Sequence, residues 1–184
     1  MRIVAGTARG RPLLGPKGKG TIRPTADRVR ETLFNILGQW MDGLKIADFY
    51  AGTGALALEA VSRGAEHAVL VDQDREAIQL CRDNARALGF TEKVEILHQP
   101  VARAVEHLGR AGRRFDLLFA DPPYAARVVP DFLAQVVQNG LLAEEGTIVI
   151  EHDRREEAPE TFDKLARVDQ RQFGDTLVSL YRFA

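Results

Sequence analysis

Cysteine is nearly absent. Cys81 is the one thiol in 184 residues, so no internal disulfide can form, and a reducing compartment, the cytoplasm, is expected. Four scattered histidines and that single cysteine give no metal-ligand spacing, so no metal is expected. No stretch approaches the ~20 consecutive apolar residues of a membrane span. The first residues are basic but no apolar run follows them, so no secretory signal is expected. Internal repeats and low-complexity segments are missing too, which excludes solenoids and fibrous chains. What is present is a 45% hydrophobic chain, enough for one domain with a full core and a small appendage. A monomer is expected.

A net charge of −1 argues against a nucleic-acid partner until its distribution is read. Residues 1–30 carry eight basic side chains, namely Arg2, Arg9, Arg11, Lys17, Lys19, Arg23, Arg28 and Arg30, against Asp27 alone; that end holds +7 and the remainder −8. A basic arm on an acidic domain is the footprint of a nucleic-acid-binding segment. Ile3, Val4, Leu13 and Leu14 make it more than a solvated tail. Arg2 to Ala5 and Gly10 to Leu14 read as two short strands around a turn, a basic β-hairpin. Thr25 reads as the cap of a following helix whose packed face is Val29, Leu33, Ile36, Leu37 and Trp40.

The chemistry concentrates at Asp121-Pro122-Pro123-Tyr124. Phe115 to Ala120 is an almost uninterrupted apolar run, a buried strand, and the two prolines stop it because neither has an N–H to give the ladder. A carboxylate and a phenol ring are thereby left at the C-terminal edge of a central strand, where open α/β sheets bind ligands. Asp121 and the carbonyl of Pro122 can accept hydrogen bonds from an exocyclic amine, and Tyr124 offers a flat face to a planar base. This tetrapeptide resembles the motif of amino-methyltransferases, which methylate exocyclic nitrogens with S-adenosylmethionine (SAM).

A second constellation lies earlier. Leu44 to Phe49 reads as a strand and Gly52-x-Gly54-x-x-Ala57 as the loop and helix start after it. Asp72, twenty residues beyond Gly52, ends the next strand, at the spacing where a carboxylate meets a ribose hydroxyl. A dinucleotide site satisfies the same pattern. Asp48 separates the two: it would repel a pyrophosphate but attract the ammonium and sulfonium of SAM. Asp48 is therefore read at the methionine end and Asp72 at the ribose. The strand Lys93 to His98 is followed by Gln99, where many SAM enzymes have an acid that meets the adenine amine; Gln99 could supply an amide oxygen there. Gly146 to Glu151 reads as a further strand, and Arg167–Phe173 and Leu177–Phe183 as an antiparallel pair about Gly174-Asp175.

Three stretches narrow the resemblance. Arg2-Ile3-Val4-Ala5-Gly6, Arg9-Gly10-Arg11, and Arg23-Pro24-Thr25 with Arg28-Val29-Arg30-Glu31-Thr32-Leu33-Phe34-Asn35 closely resemble the RsmD family, and the likeness extends to Gly174-Asp175-Thr176. The resemblance implies a Rossmann-like SAM-dependent methyltransferase fold: a mostly parallel seven-stranded α/β sheet with an antiparallel last strand. A basic hairpin arm would occupy residues 1–24 and the methyltransferase domain residues 25–184. It implies transfer of a methyl group to N2 of one guanine in 16S ribosomal RNA of the small ribosomal subunit, assembled or assembling, with S-adenosylhomocysteine as by-product. Asp121, Pro122 and Tyr124 would be catalytic, and Asp48, Gly52, Gly54, Asp72 and Gln99 would hold the cofactor. Arg2, Arg9, Arg11, Arg23, Arg28 and Arg30 would face RNA. An adenine-N6 methyltransferase and a non-catalytic nucleotide- or RNA-binding module are the alternatives.

Overall fold

A computed structural model of the chain describes residues 1–16, 24–122 and 128–184. Arg23, Lys17, Lys19, Pro123 and Tyr124 lie outside the described residues. Short apolar runs form five strands in the parallel part of one sheet: β1 (Lys45–Phe49), β2 (His67–Asp72), β3 (Val94–His98), β4 (Phe115–Ala120) and β5 (Leu142–Asp153). β6 (Thr161–Phe162), β7 (Leu165–Phe173) and β8 (Thr176–Phe183) complete it, in the order β3-β2-β1-β4-β5-β8-β7-β6. The β5–β8, β8–β7 and β7–β6 pairs are all antiparallel. The described residues thus give eight strands where seven were expected. Asp163, in a left-handed turn at φ 50°, folds Thr161 and Phe162 back onto Ala166 and Leu165.

Helices cover both faces. α1 (Pro24–Leu37), α2 (Ala55–Ser62) and α3 (Arg75–Leu88) share one core with Ile46, Leu70, Phe119 and Val149. α4 (Val101–Arg110) and α5 (Val128–Gln138) share the other with Phe49, Val71, Leu118 and Ile150. Alternation along each strand divides the two cores, as the period of two requires. No helix among the described residues is long and apolar enough to cross a membrane.

α1 departs from expectation at both ends. It begins at Pro24, which places Thr25 inside the first turn rather than at the cap; proline suits that first position because its missing N–H has no helical partner anyway. It stops at Leu37, before Gly38 at φ 101°, so Trp40 leaves the helical phase and is 72% exposed. Among the described side chains of this helix, Arg30, Leu33 and Phe34 are buried.

The N-terminal segment pairs with itself only briefly. Arg2 and Pro12 form an antiparallel bridge, with Ile3 N–H on the Arg11 carbonyl (3.0 Å) and Leu13 N–H on that of Met1 (3.0 Å). The amides of Val4, Ala5, Thr7 and Ala8 bond to α2. Val4 and Ala5 donate to the two Glu59 carboxylate oxygens (2.8 and 2.9 Å), and Ala8 donates to Ser62 Oγ (2.9 Å). Ile3, Ala8 and Leu13 join the core, so residues 3–13 are docked onto the sheet's helices. Gly6 sits where it crosses α2: at φ +79°, a Cβ there would lie 1.8 Å from the Ser62 carbonyl oxygen. Gly6→Ala is expected to cost roughly 2–5 kcal/mol, from left-handed strain plus overpacking. Thermal unfolding checks this; an unchanged melting temperature would refute it.

Candidate active site

The strand order reverses between β1 and β4, and the cleft opens there, beyond their C-terminal ends. It encloses about 980 Å³ and is lined by Asp48, Tyr50, Gly52, Asp72, Asp121 and Glu151, among others. That is ample for a nucleoside-sized ligand together with part of a second one.

The floor is the turn from β1 into α2. Tyr50 takes a left-handed φ of 65°, and Gly52 and Gly54 follow at 57° and 76°. The two glycines answer different needs. A Cβ on Gly54 would meet Leu70 Cδ2 at 2.7 Å, so this glycine permits close packing onto β2. A Cβ on Gly52 would meet nothing nearer than 4.0 Å and would project into space beside the cleft, so this one keeps room for a ligand. The turn is held from three sides: Gly52 N–H on Asp72 Oδ2 (2.9 Å), Cys81 Sγ on the Gly52 carbonyl (3.3 Å) and Asn84 Nδ2 on the Thr53 carbonyl (2.9 Å). Burial and the Asp48 and Asp72 charges push the Cys81 thiol far up, which keeps it a neutral donor.

Carboxylates end the strands around this turn. Asp48 is 2% exposed and accepts the Ala57 N–H in the first turn of α2 (3.2 Å). Burial pushes it up to about 7 against the lowering effect of that bond, and Asp121 and Asp72 push the same way. Asp72 uses its other oxygen on Asp74 N–H (2.9 Å), while Asp74 caps α3 through Glu76 N–H (3.0 Å). Asp121 continues the β4 ladder with its N–H on the Phe49 carbonyl (3.4 Å), and the cleft walls raise its carboxyl to about 6. The result is a site with excess negative charge gathered round a buried Asp48, suited to a cationic ligand. Among the described residues no group of three His, Cys, Asp or Glu could hold a metal ion.

The other sequence candidates scatter. Pro122 lines the cleft and Tyr124 lies outside the described residues. Gln99 follows β3 with its N–H on the Asp72 carbonyl (3.0 Å), but it is not among the described residues lining the cleft, and its Nε2 is buried with no partner among them. Arg9 and Arg28 are exposed, and so is Arg2, whose carbonyl is bonded by Arg30. Arg11 folds onto the carbonyls of Ala87 and Leu88 at the end of α3, where orphan acceptors and the helix dipole draw a cation. Arg30, expected to face RNA, instead is 4% exposed and paired with Glu59 at 3.4 Å, because α2 brings a buried carboxylate against α1.

Glu151 was not anticipated as a site residue. It lines the cleft beside Asp121, and burial with repulsion from Asp121 raises it to about 7. The signal was present: an acid directly after the apolar Ile148-Val149-Ile150, as Asp121 follows Phe119-Ala120. Phe173 and Thr176 also line the cleft, brought there by the β5–β8 pairing, which no local pattern announces.

A sheet parallel through β5 and antiparallel beyond it, helices on both faces, and a glycine turn with strand-end carboxylates at the reversal of strand order define the class: this is the Rossmann-like SAM-dependent methyltransferase fold. Residues 1–182 match the family described as conserved hypothetical protein 95, and the chain belongs to that family, the RsmD family. It is 37% identical over 182 residues to YlbH of Bacillus subtilis strain 168, covering 99% of this chain and 98% of that protein. It is also 37% identical over 153 residues to ribosomal RNA small subunit methyltransferase D of Escherichia coli strain K12, covering 83% of this chain and 75% of that protein. The solved structure of yhhF from Escherichia coli matches with a TM-score of 0.87 at 31% identity, covering 100% of this chain and 97% of that one.

Proposed function

We propose that this protein transfers a methyl group from SAM to the exocyclic N2 of a guanine in 16S ribosomal RNA, acting as a monomer on the small ribosomal subunit in the cytoplasm. One observation carries the reading: Asp121 opens into a cleft at the switch point of the sheet, in a chain 37% identical to a ribosomal RNA small subunit methyltransferase. The residues fit SAM by their chemistry. Asp48 would face its cationic methionine end and Asp72 its ribose, and Gly52 leaves the space for it. When bound, SAM supplies an electrophilic methyl group on a sulfonium.

Guanine N2 is a weak nucleophile because its lone pair is delocalised into the ring. Asp121 and the Pro122 carbonyl accept its two N–H bonds, turn the lone pair out of conjugation and aim it. Tyr124, a candidate from sequence alone, would stack on the base. Orientation and electrostatics then supply most of the acceleration, with no strong base needed before transfer. The base must leave its stack to enter the cleft. Within the arm, residues 1–24, and at the start of α1, Arg2, Arg9 and Arg28 are exposed and fit phosphate contacts, which position without specifying.

The test is methyl transfer from labelled SAM to unmodified small subunits, naked ribosomal RNA and DNA, with the labelled nucleoside identified. N2-methylguanosine from ribosomal RNA is the expected product; label in N6-methyladenine would overturn the base assignment. Asp48 adds a pH dependence. A bound cation favours its ionised form, so below about 7 SAM must displace a proton to bind. SAM affinity is expected to rise up to about tenfold per pH unit toward that value and then level off. By the same shift, the ligand-free protein loses this group's contribution to stability as pH rises from 3.8 to about 7. Calorimetric titration in buffers of different ionisation enthalpy checks the proton release, and a pH-independent affinity would refute it.

A further inference from the structure

The chemistry proposed above needs an amine but does not by itself choose a base: adenine, cytosine and guanine all carry an exocyclic NH2. They differ at the neighbouring ring nitrogen. In guanine N1 carries a hydrogen, so N1–H and N2–H2 form one edge of donors. In adenine and cytosine the ring nitrogen beside the amine is an acceptor. A site for guanine therefore gains from a second acceptor next to the one that holds the amine.

β4 and β5 provide that pair. They run parallel with Ala120 opposite Ile150, so Asp121 and Glu151 follow side by side, one strand spacing of about 4.8 Å apart along the sheet. Glu151 falls on the same side of β5 as Val149, which shares its core with Phe119 two residues before Asp121; both acids line the cleft. We infer that Glu151 is the base-selecting residue, its carboxylate accepting the guanine N1–H while Asp121 holds the N2 amine. This rests on the guanine-N2 reading above.

Three observations support it. Among the described residues no donor bonds the Glu151 carboxylate and no cation pairs with it, although the residue is half-buried beside a second carboxylate. Such an acid destabilises the fold unless a ligand uses it, and perturbed acids of this kind gather at functional sites. Arg30, the one arginine or lysine among the described residues lining the same cleft, is paired with Glu59. Finally, an ionised Glu151 would meet the lone pair of adenine N1 or cytosine N3 head on, so the same group that welcomes guanine rejects the other two.

The test replaces the target guanosine, once mapped, with 2-aminopurine in RNA reconstituted into subunits. 2-Aminopurine keeps the 2-amino group but has an acceptor at N1. Wild type is expected to prefer guanine by about 100-fold or more in kcat/KM, because the analogue leaves buried polar groups opposed. Glu151→Gln is isosteric, and its amide can accept from guanine N1–H or donate to the N1 of 2-aminopurine. It should therefore lower the guanine preference by roughly 10- to 100-fold. The missing O6 of the analogue affects both enzymes alike and cancels from that comparison. Glu151→Gln should also raise the melting temperature of the ligand-free protein at about pH 8, where wild type carries the unpaired charge. A wild type that uses both bases equally, or a preference unchanged in Glu151→Gln, overturns the inference. If wild type forms no N2-methylguanosine on the unsubstituted subunit, the underlying guanine reading has failed, which is a separate result.

Discussion

Asp121→Ala is expected to lower kcat for methyl transfer by about 10³-fold or more while SAM still binds, since removing one preorganised polar contact to a developing charge already costs roughly 10²–10³. The reasoning follows from where the side chain stands. Asp121 lies one residue past β4, at the reversal of strand order, with its own N–H still bonded to Phe49. Its backbone is thus part of the sheet while its carboxylate opens into the cleft, so truncation removes the acceptor without disturbing the strand. The turn that would hold SAM is fixed by Asp72, Cys81 and Asn84, none of which bonds to Asp121. Asp121→Asn keeps an acceptor oxygen and should retain more activity than the alanine variant. Single-turnover kinetics with labelled SAM, run beside a SAM-binding titration, checks both halves. Near-normal turnover in Asp121→Ala would refute the assignment of this carboxylate to the amine.

Glu59→Ala should cost the fold about 3–5 kcal/mol, the penalty for leaving buried charge uncompensated. Glu59 is fully buried and its carboxylate serves four partners: the N–H groups of Val4 and Ala5, Arg63 at 2.9 Å and Arg30 at 3.4 Å. Arg63 also stacks over the Phe34 ring at 4.5 Å, so the loss reaches α1. Removing the acid takes their carboxylate from two buried guanidiniums and their acceptor from two backbone donors together, and these contributions couple rather than add. Urea unfolding should show the drop in midpoint, and limited proteolysis should find the N-terminal segment released first. A loss below about 1 kcal/mol would mean that the apolar contacts of Ile3, Ala8 and Leu13 hold the segment without this carboxylate.

These two residues show how differently a role is written into the chain. Asp121 was legible because strand, stop and acid are consecutive: an apolar run ended by Pro122 and Pro123 states both the end of the strand and the residue exposed there. Caps are chemistry between near neighbours, and Asp74 and Gly89 bound α3 in that way, through Asp74 Oδ1 and at φ 78°. Glu59 carried no such mark. It lies within an apolar helix, and the partners Val4, Ala5 and Arg30 are distant in sequence. Arg30 was misread as a phosphate contact for that reason: a basic residue in a basic segment reads as exposed until the helix that neutralises it is in place. Trp40 fails in the opposite sense, because Gly38 breaks the periodicity before reaching it.

By itself, then, the sequence determined what depends on neighbours along the chain: strands and helices from their periods, the glycine turn after β1, the acids that end β1, β2 and β4, and the asymmetry of charge. Tertiary structure decided what depends on which elements meet. It placed Glu151 beside Asp121, because β5 pairs in parallel with β4 at Ala120 and Ile150. It laid Arg11 on the end of α3, buried Arg30 against Glu59, docked residues 4–8 on α2, and brought Phe173 and Thr176 to the cleft through the antiparallel edge. The physical reason is the same in each case. A charge or a polar hydrogen has no fixed meaning until burial and its partners are set, and both are supplied by residues far away in the chain.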